Sequence, residues 1–129
     1  MNTNWKLVTT ALASMGIGVI GGTWLHAQTA APPAFVVSHV DVSDQDTFKQ
    51  YLAALPATLA PYKVKTLARG NPVKLDASTP PAGSLVILAF SNMADVKAWW
   101  NSPAYQAIIP LREKSSKTIA YAVEGPAAP

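Results

Sequence analysis

From Ala34 onward the apolar side chains of this chain recur with a period of either two or about 3.6 residues, and each switch of period predicts a new element. "AFVVSHVDV", Ala34 to Val42, places aromatic and β-branched residues on both faces, the pattern of a strand covered on two sides. The next stretch, "SDQDTFKQYLAALPATLAPY", changes to helical spacing, with Phe48, Tyr51, Leu52, Leu55 and Leu59 on one stripe. Ser43 is the expected cap, Asp46 stands where the acid of a capping box belongs, and Pro56 is expected to kink the helix or end its regular bonding.

"KVKTLARG", Lys63 to Gly70, alternates as a strand with one face in water, and "NPVKLDASTPPAG" is rich in turn formers. "SLVILAFS", Ser84 to Ser91, is a second strand apolar on both sides. Asn92 with Asp95 repeats the cap signature ahead of a helical stripe at Met93, Val96 and Trp100. Trp99 lies about 100° from Trp100 on that helix, which predicts Trp100 in the core and Trp99 at a subunit boundary or pocket mouth. Ser102 before Pro103 reads as an N-cap and first helical residue, because proline holds its predecessor extended and loses only a donor that has no partner in the first turn. That helix is expected to be short and disturbed at Pro110, and "KTIAYAVEG", Lys117 to Gly125, closes the pattern as a last strand.

The order is β-α-β-β-α-β with a split second helix. It predicts an α+β domain with a four-stranded antiparallel sheet and helices on one face. Three strands are apolar on both sides and no element remains for the second side. A homodimer covering that face, or a cavity beneath it, is the physical remedy.

The first thirty residues differ in kind. Lys6 precedes an uncharged run, Leu7 to Leu25, that ends near "LHAQTAAPPA", the arrangement of a secretory signal peptide. This divides the chain into a signal peptide at 1–27, cut after Ala27, a flexible leader at 28–33, a domain at 34–125 and a tail at 126–129. The implied location is periplasmic or secreted, with membrane contact only if the segment stays uncut as an anchor. "GIGVIG" inside the run matches a dinucleotide fingerprint, and Gly18 with Gly22 a helix-pairing spacing; neither has the structural context that would give it meaning.

With Lys6 set aside, nine basic side chains face seven acidic ones, and no basic run or nucleic-acid motif suggests a phosphate-backbone partner. Cysteine is absent and His39 is the single histidine of the domain, so a metal site of ordinary nitrogen and sulfur ligands cannot be assembled within one subunit. Nothing predicts a cofactor. His39 and Asp41 share a strand face and form the one candidate acid–base pair. Trp99, Tyr105 and Arg112 are candidates to border a ligand site, and Arg69 with Arg112 to hold an anionic group bidentately. The plainer reading makes Trp100, Ser102 and Pro103 architecture and leaves the arginines to surface ion pairs.

"AWWNSPAYQAIIPLR", "LARG", "VVSHVDVSD" and the closing "AVEG" together resemble the family called domain of unknown function 1330, over about Ala34 to Gly125. The resemblance implies a ferredoxin-like fold of the dimeric α+β barrel group, in which two sheets face each other across a twofold axis. Exported members have a similar leader. Two departures stand out: Lys63 and Val64 occupy the place of a usual Gly-Gly pair, and Trp100 a place more often tyrosine. For function, one expectation is a dimer that binds a small apolar or aromatic molecule between sheet and helices, and the resemblance to the wider barrel group adds cofactor-free acid–base or oxygen chemistry. The alternative is a non-catalytic, stress-associated assembly module. A cavity lined by Tyr, Trp and Arg is the feature that would separate the two.

Overall fold

The computed structural model describes residues 30–128, so the expected signal peptide at 1–27 and the start of the expected leader lie outside the described residues. The elements are β1 (Ala34–Val42), α1 (Gln45–Leu59) continued by a 3-10 turn (Ala60–Tyr62), β2 (Lys65–Gly70), β3 (Ser84–Phe90), α2 (Met93–Trp100), α3 (Pro103–Ser115) and β4 (Ser116–Glu124). The sheet order is β2-β3-β1-β4 and every neighbouring pair is antiparallel. This is the ferredoxin-like arrangement, two split β-α-β units whose helices cover one face. Among the described residues no helix is long and apolar enough to cross a membrane.

Register sorts the strand residues into two sets. Val36, Ser38, Val40 and Val42 of β1 face the helices with Val86 and Leu88 of β3. Phe35, Val37, His39 and Asp41 point the other way, beside Leu85 and Ile87 on one flank and Ile119, Tyr121 and Val123 on the other. No helix covers that second set. Ile119, Tyr121 and Val123 remain 61%, 52% and 50% exposed. The core lies on the helical side and gathers Ala34, Val36, Tyr51, Leu88, Phe90, Val96, Trp99 and Tyr105.

Several local expectations are corrected. The cap of α1 is Asp44, not Ser43: its carboxylate accepts from the Asp46 and Thr47 backbone N–H groups at 3.1 and 3.2 Å. Ser43 instead turns toward α3, its N–H and hydroxyl both donating to the Ser115 carbonyl. Pro56 and Pro110 end neither helix. Each removes one backbone bond, and packing between α1 and α3 carries both helices through. At α2 and α3 the cap readings hold, since Asn92 accepts from Asp95 N–H at 2.8 Å and Ser102 from Tyr105 N–H at 3.2 Å.

Two turns depend on unusual backbone. Lys63, where related chains are expected to carry glycine, has φ 51°, the left-handed region that glycine enters at no steric cost. It leaves the 3-10 turn as a corner, so β2 begins at Lys65 and not at Lys63. Gly83 has φ 88°, and a Cβ there would stand 2.1 Å from the Val40 carbonyl oxygen, so only glycine can lead into β3 against β1. At the far end of the sheet Gly125 N–H donates to the Pro33 carbonyl at 2.7 Å, clasping the two ends of the domain.

Candidate functional site

The helices do not sit on the sheet evenly. α2 packs down against β1, β3 and β4, whereas α1 rests chiefly on α3 and stands off the strands. The gap is a cavity of about 580 Å³ between α1, α3 and the helical face of the sheet. Well-packed interiors leave few voids larger than a water molecule, so a space of this size is not ordinary packing slack. Its walls are largely apolar, with Val36, Val40, Val86 and Leu88 from the sheet and Phe48 and Leu55 from α1.

One wall is aromatic and cationic. Trp99 is 2% exposed, and its indole Nε1–H donates to Thr58 Oγ1 at 3.0 Å, pinning α2 to α1. The Tyr105 ring, 1% exposed, lies with its centroid 4.0 Å from Trp99 and 5.3 Å from Trp100. The Arg112 guanidinium packs over Trp100 and Tyr105 at 5.3 and 5.9 Å, and Nη1–H donates to Tyr105 Oη at 2.8 Å. Tyr51 Oη from α1 lies 3.4 Å from the same phenol oxygen. Burial, reinforced by Tyr51 and opposed by Arg112, holds the Tyr105 hydroxyl well above its ordinary pKa. Tyr105 is therefore a neutral phenol at physiological pH, a hydrogen-bond donor and not a base.

The structure brings Trp99, Tyr105, Arg112 and Arg69 to the lining of this one cavity, with Trp100 beside them. The two tryptophans exchange the roles expected of them. Trp99 follows Val96 by three residues and joins it in the core, while Trp100 is half-buried. Both nevertheless touch one residue, because the turn at Ser102 swings Tyr105 of α3 between the two indoles.

Arg69 reaches the cavity through a β-bulge. Thr66 is opposite Leu88 and Ala68 is opposite Ile87, so Leu67 is an extra residue that reverses the alternation. Unbroken alternation from Thr66 would have turned Arg69 to the other face of the sheet. His39 and Asp41 lie on that other face, away from the cavity, with the imidazole centroid 6.3 Å from the Tyr121 ring. His39 Nδ1 is sealed from solvent without a partner, so it is not engaged by Asp41.

Sequence reasoning had not singled out Tyr51, Thr58 or Lys63 as site residues, although Tyr51 and Lys63 line the cavity and Thr58 anchors its indole. For Tyr51 a signal existed: it is the one hydroxyl in an otherwise hydrocarbon stripe, and a buried phenol needs a partner. Among the described residues no group of three or more His, Cys, Asp or Glu is placed to hold a metal ion.

The model of the family described as domain of unknown function (DUF1330) matches residues 33–126. No curated protein matches the chain. Among solved structures the chain is similar to a protein of unknown function from Rhodopseudomonas palustris, 13% identical, covering 76% of this chain and 85% of that one with a TM-score of 0.57. It is also similar to SnoaB, a cofactor-independent oxygenase from Streptomyces nogalater, at 13% identity, 76% and 97% coverage and a TM-score of 0.51. A dimeric ferredoxin-like protein of unknown function from Jannaschia sp. CCS1 aligns at 11% identity, 72% and 99% coverage and a TM-score of 0.53. At these identities the likeness is one of fold.

Proposed function

The chain belongs to the DUF1330 family, and from that premise we propose that it is a binding domain that takes a small, largely apolar or aromatic molecule into the cavity beneath α1 and α3. The observation that carries this reading is the cavity itself: about 580 Å³ of mostly apolar space converging on the hydrogen-bonded Arg112, Tyr105 and Tyr51. Apolar walls with a few convergent polar groups are the common build of small-molecule sites. Of the activities considered, binding suits the lining better than residue-driven acid–base catalysis. No imidazole or carboxylate lines the cavity among the described residues, and Tyr105 is held neutral. Oxygen chemistry, as named for the Streptomyces neighbour, would have to draw on the acidity of the bound molecule.

The second part of the proposal is a homodimer. Ile119, Tyr121 and Val123, with Phe35 and Val37 between them and β3, form an apolar surface that a second copy would cover, and structural neighbours are described as dimeric. An assembly module alone accounts for this surface but leaves the cavity without a use. Export to the periplasm or beyond, with cleavage after Ala27, completes the reading, and the N-terminal residue of the mature protein tests it.

The cavity is tested with the neutral fluorophore N-phenyl-1-naphthylamine. Emission should rise saturably with the purified protein, and Val86→Trp, which fills the cavity from β3, should abolish the rise while circular dichroism stays unchanged. Emission that survives Val86→Trp would place the probe elsewhere and overturn the reading.

A further inference from the structure

We propose that the ligand is an organic anion, an apolar or aromatic body bearing one carboxylate, and that Arg112 receives the carboxylate. This deepens the cavity reading and rests on it. The charges around the cavity are one-sided: Lys63, Arg69 and Arg112 line it, and no aspartate or glutamate does among the described residues. Lys63 and Arg69 are exposed and stand at the rim, where solvent screens them. Arg112 is deeper, and its surroundings do not satisfy it. A guanidinium has five N–H donors. Nη1 donates to Tyr105, Nε is sealed from solvent with no acceptor, and the Nη edge is therefore the part of the guanidinium that a ligand can meet.

Trp100 and Tyr105 hold the guanidinium against their rings, which offsets part of the cost of taking the charge out of water. Ring faces cannot accept the in-plane N–H groups. Arg112 is half-buried with no acidic side chain beside it in the cavity lining, and a carboxylate is the group whose oxygens match guanidinium donors.

The phenols add direction. The Tyr105 oxygen accepts from Arg112, which leaves its own proton to donate toward Tyr51 or toward a bound oxygen. Because the phenol keeps its proton, the cluster offers donors and one positive charge, and nothing in it takes a proton from the ligand. The occupant that fits arrives already ionised. Its body would lie along Val36, Val40, Val86 and Leu55, and its charge would point to α3.

The test displaces the neutral naphthylamine probe from the full domain at pH 7 with matched pairs, each a carboxylic acid and its primary amide, on phenyl, naphthyl and straight-chain bodies. At least one acid should displace the probe with an affinity about tenfold or more above that of its amide. Arg112→Gln should bring the ratio of acid to amide affinity to about one, whatever it does to the absolute affinity of the probe, with Arg112→Lys intermediate. If Arg112→Gln fails to fold, the wild-type pairs still decide whether the ligand is an anion, and Arg69→Gln, which should keep the acid preference, decides whether a rim charge receives it instead. Equal displacement by acid and amide, or displacement by no acid while the probe binds, overturns the inference and spares the cavity reading. A probe that does not bind at all defeats the cavity reading itself.

Discussion

The two faces of the sheet are built from the same strands with similar side chains, yet they come to opposite states. On the helical face β1 offers Val36, Val40 and Val42, and the helices close over them so incompletely that a cavity remains. On the other face the same strand offers Phe35, Val37 and His39, half-buried among neighbouring strand side chains, and no helix covers them. One face is roofed but hollow; the other is filled to the surface but bare. Apolar patterning dictates that both faces leave water, but only the helices decide where a void can persist. Here the deciding feature is that α1 leans on α3 and not on the strands.

The contrast can be broken most forcefully at Trp99. Trp99→Ala removes the indole that joins α2 to Thr58 of α1 and packs on Phe90 and Tyr105, and should cost about 3–5 kcal/mol, read as a lower urea midpoint. A charge on the bare face should instead act on association. Ile119→Asp, at a residue 61% exposed in one copy, should weaken the dimer by about a hundredfold or more in sedimentation equilibrium and leave the far-ultraviolet spectrum unchanged. A wild-type protein that is monomeric at micromolar concentration would show instead that the second face stays in water and that no second copy covers it.

Tyr105 gives a smaller effect with a defined pH sense. Its phenol is held above the ordinary 10.0 in the folded state. The unfolded chain therefore loses that proton first, and stability, fully present at lower pH, declines as pH climbs beyond about 10. Tyr105→Phe should flatten that alkaline decline and cost about 1–2 kcal/mol at neutral pH for the bonds to Arg112 and Tyr51. The smallest change is expected at the corner before β2. Lys63→Gly relieves a left-handed residue and loosens the unfolded chain, with a net gain of less than about 1 kcal/mol in thermal unfolding.

What could be read beforehand follows from how local each determinant is. The element order, the Ser102 and Asn92 caps and the greasy second face depend on spacing alone, and they were legible. Trp99, Tyr105 and Arg112 were legible as a group because two indoles and a phenol beside an arginine exceed what a small core ordinarily demands. Arg69 was named, but its route to the cavity was hidden, because the bulge at Leu67 is a property of the pairing with β3 and not of "LARG" itself. The exchange of roles between Trp99 and Trp100 was equally invisible. A helical wheel cannot say which of two adjacent rows meets the sheet, since that depends on the tilt of α2. Asp44 displaced Ser43 as the cap because Ser43 was needed at the Ser115 carbonyl, a partner 72 positions away.

The clasp between Gly125 and Pro33 has a mechanical consequence. β1 and β4 are antiparallel neighbours, so the strands that begin and end the domain leave it side by side at one corner. A load applied between the two ends would open this seam like a zipper, rupturing hydrogen bonds in succession instead of all at once. Such tension would thus peel β4 away early, lifting Val123 and then Tyr121 off β1 before the aromatic cluster under α3 felt the strain.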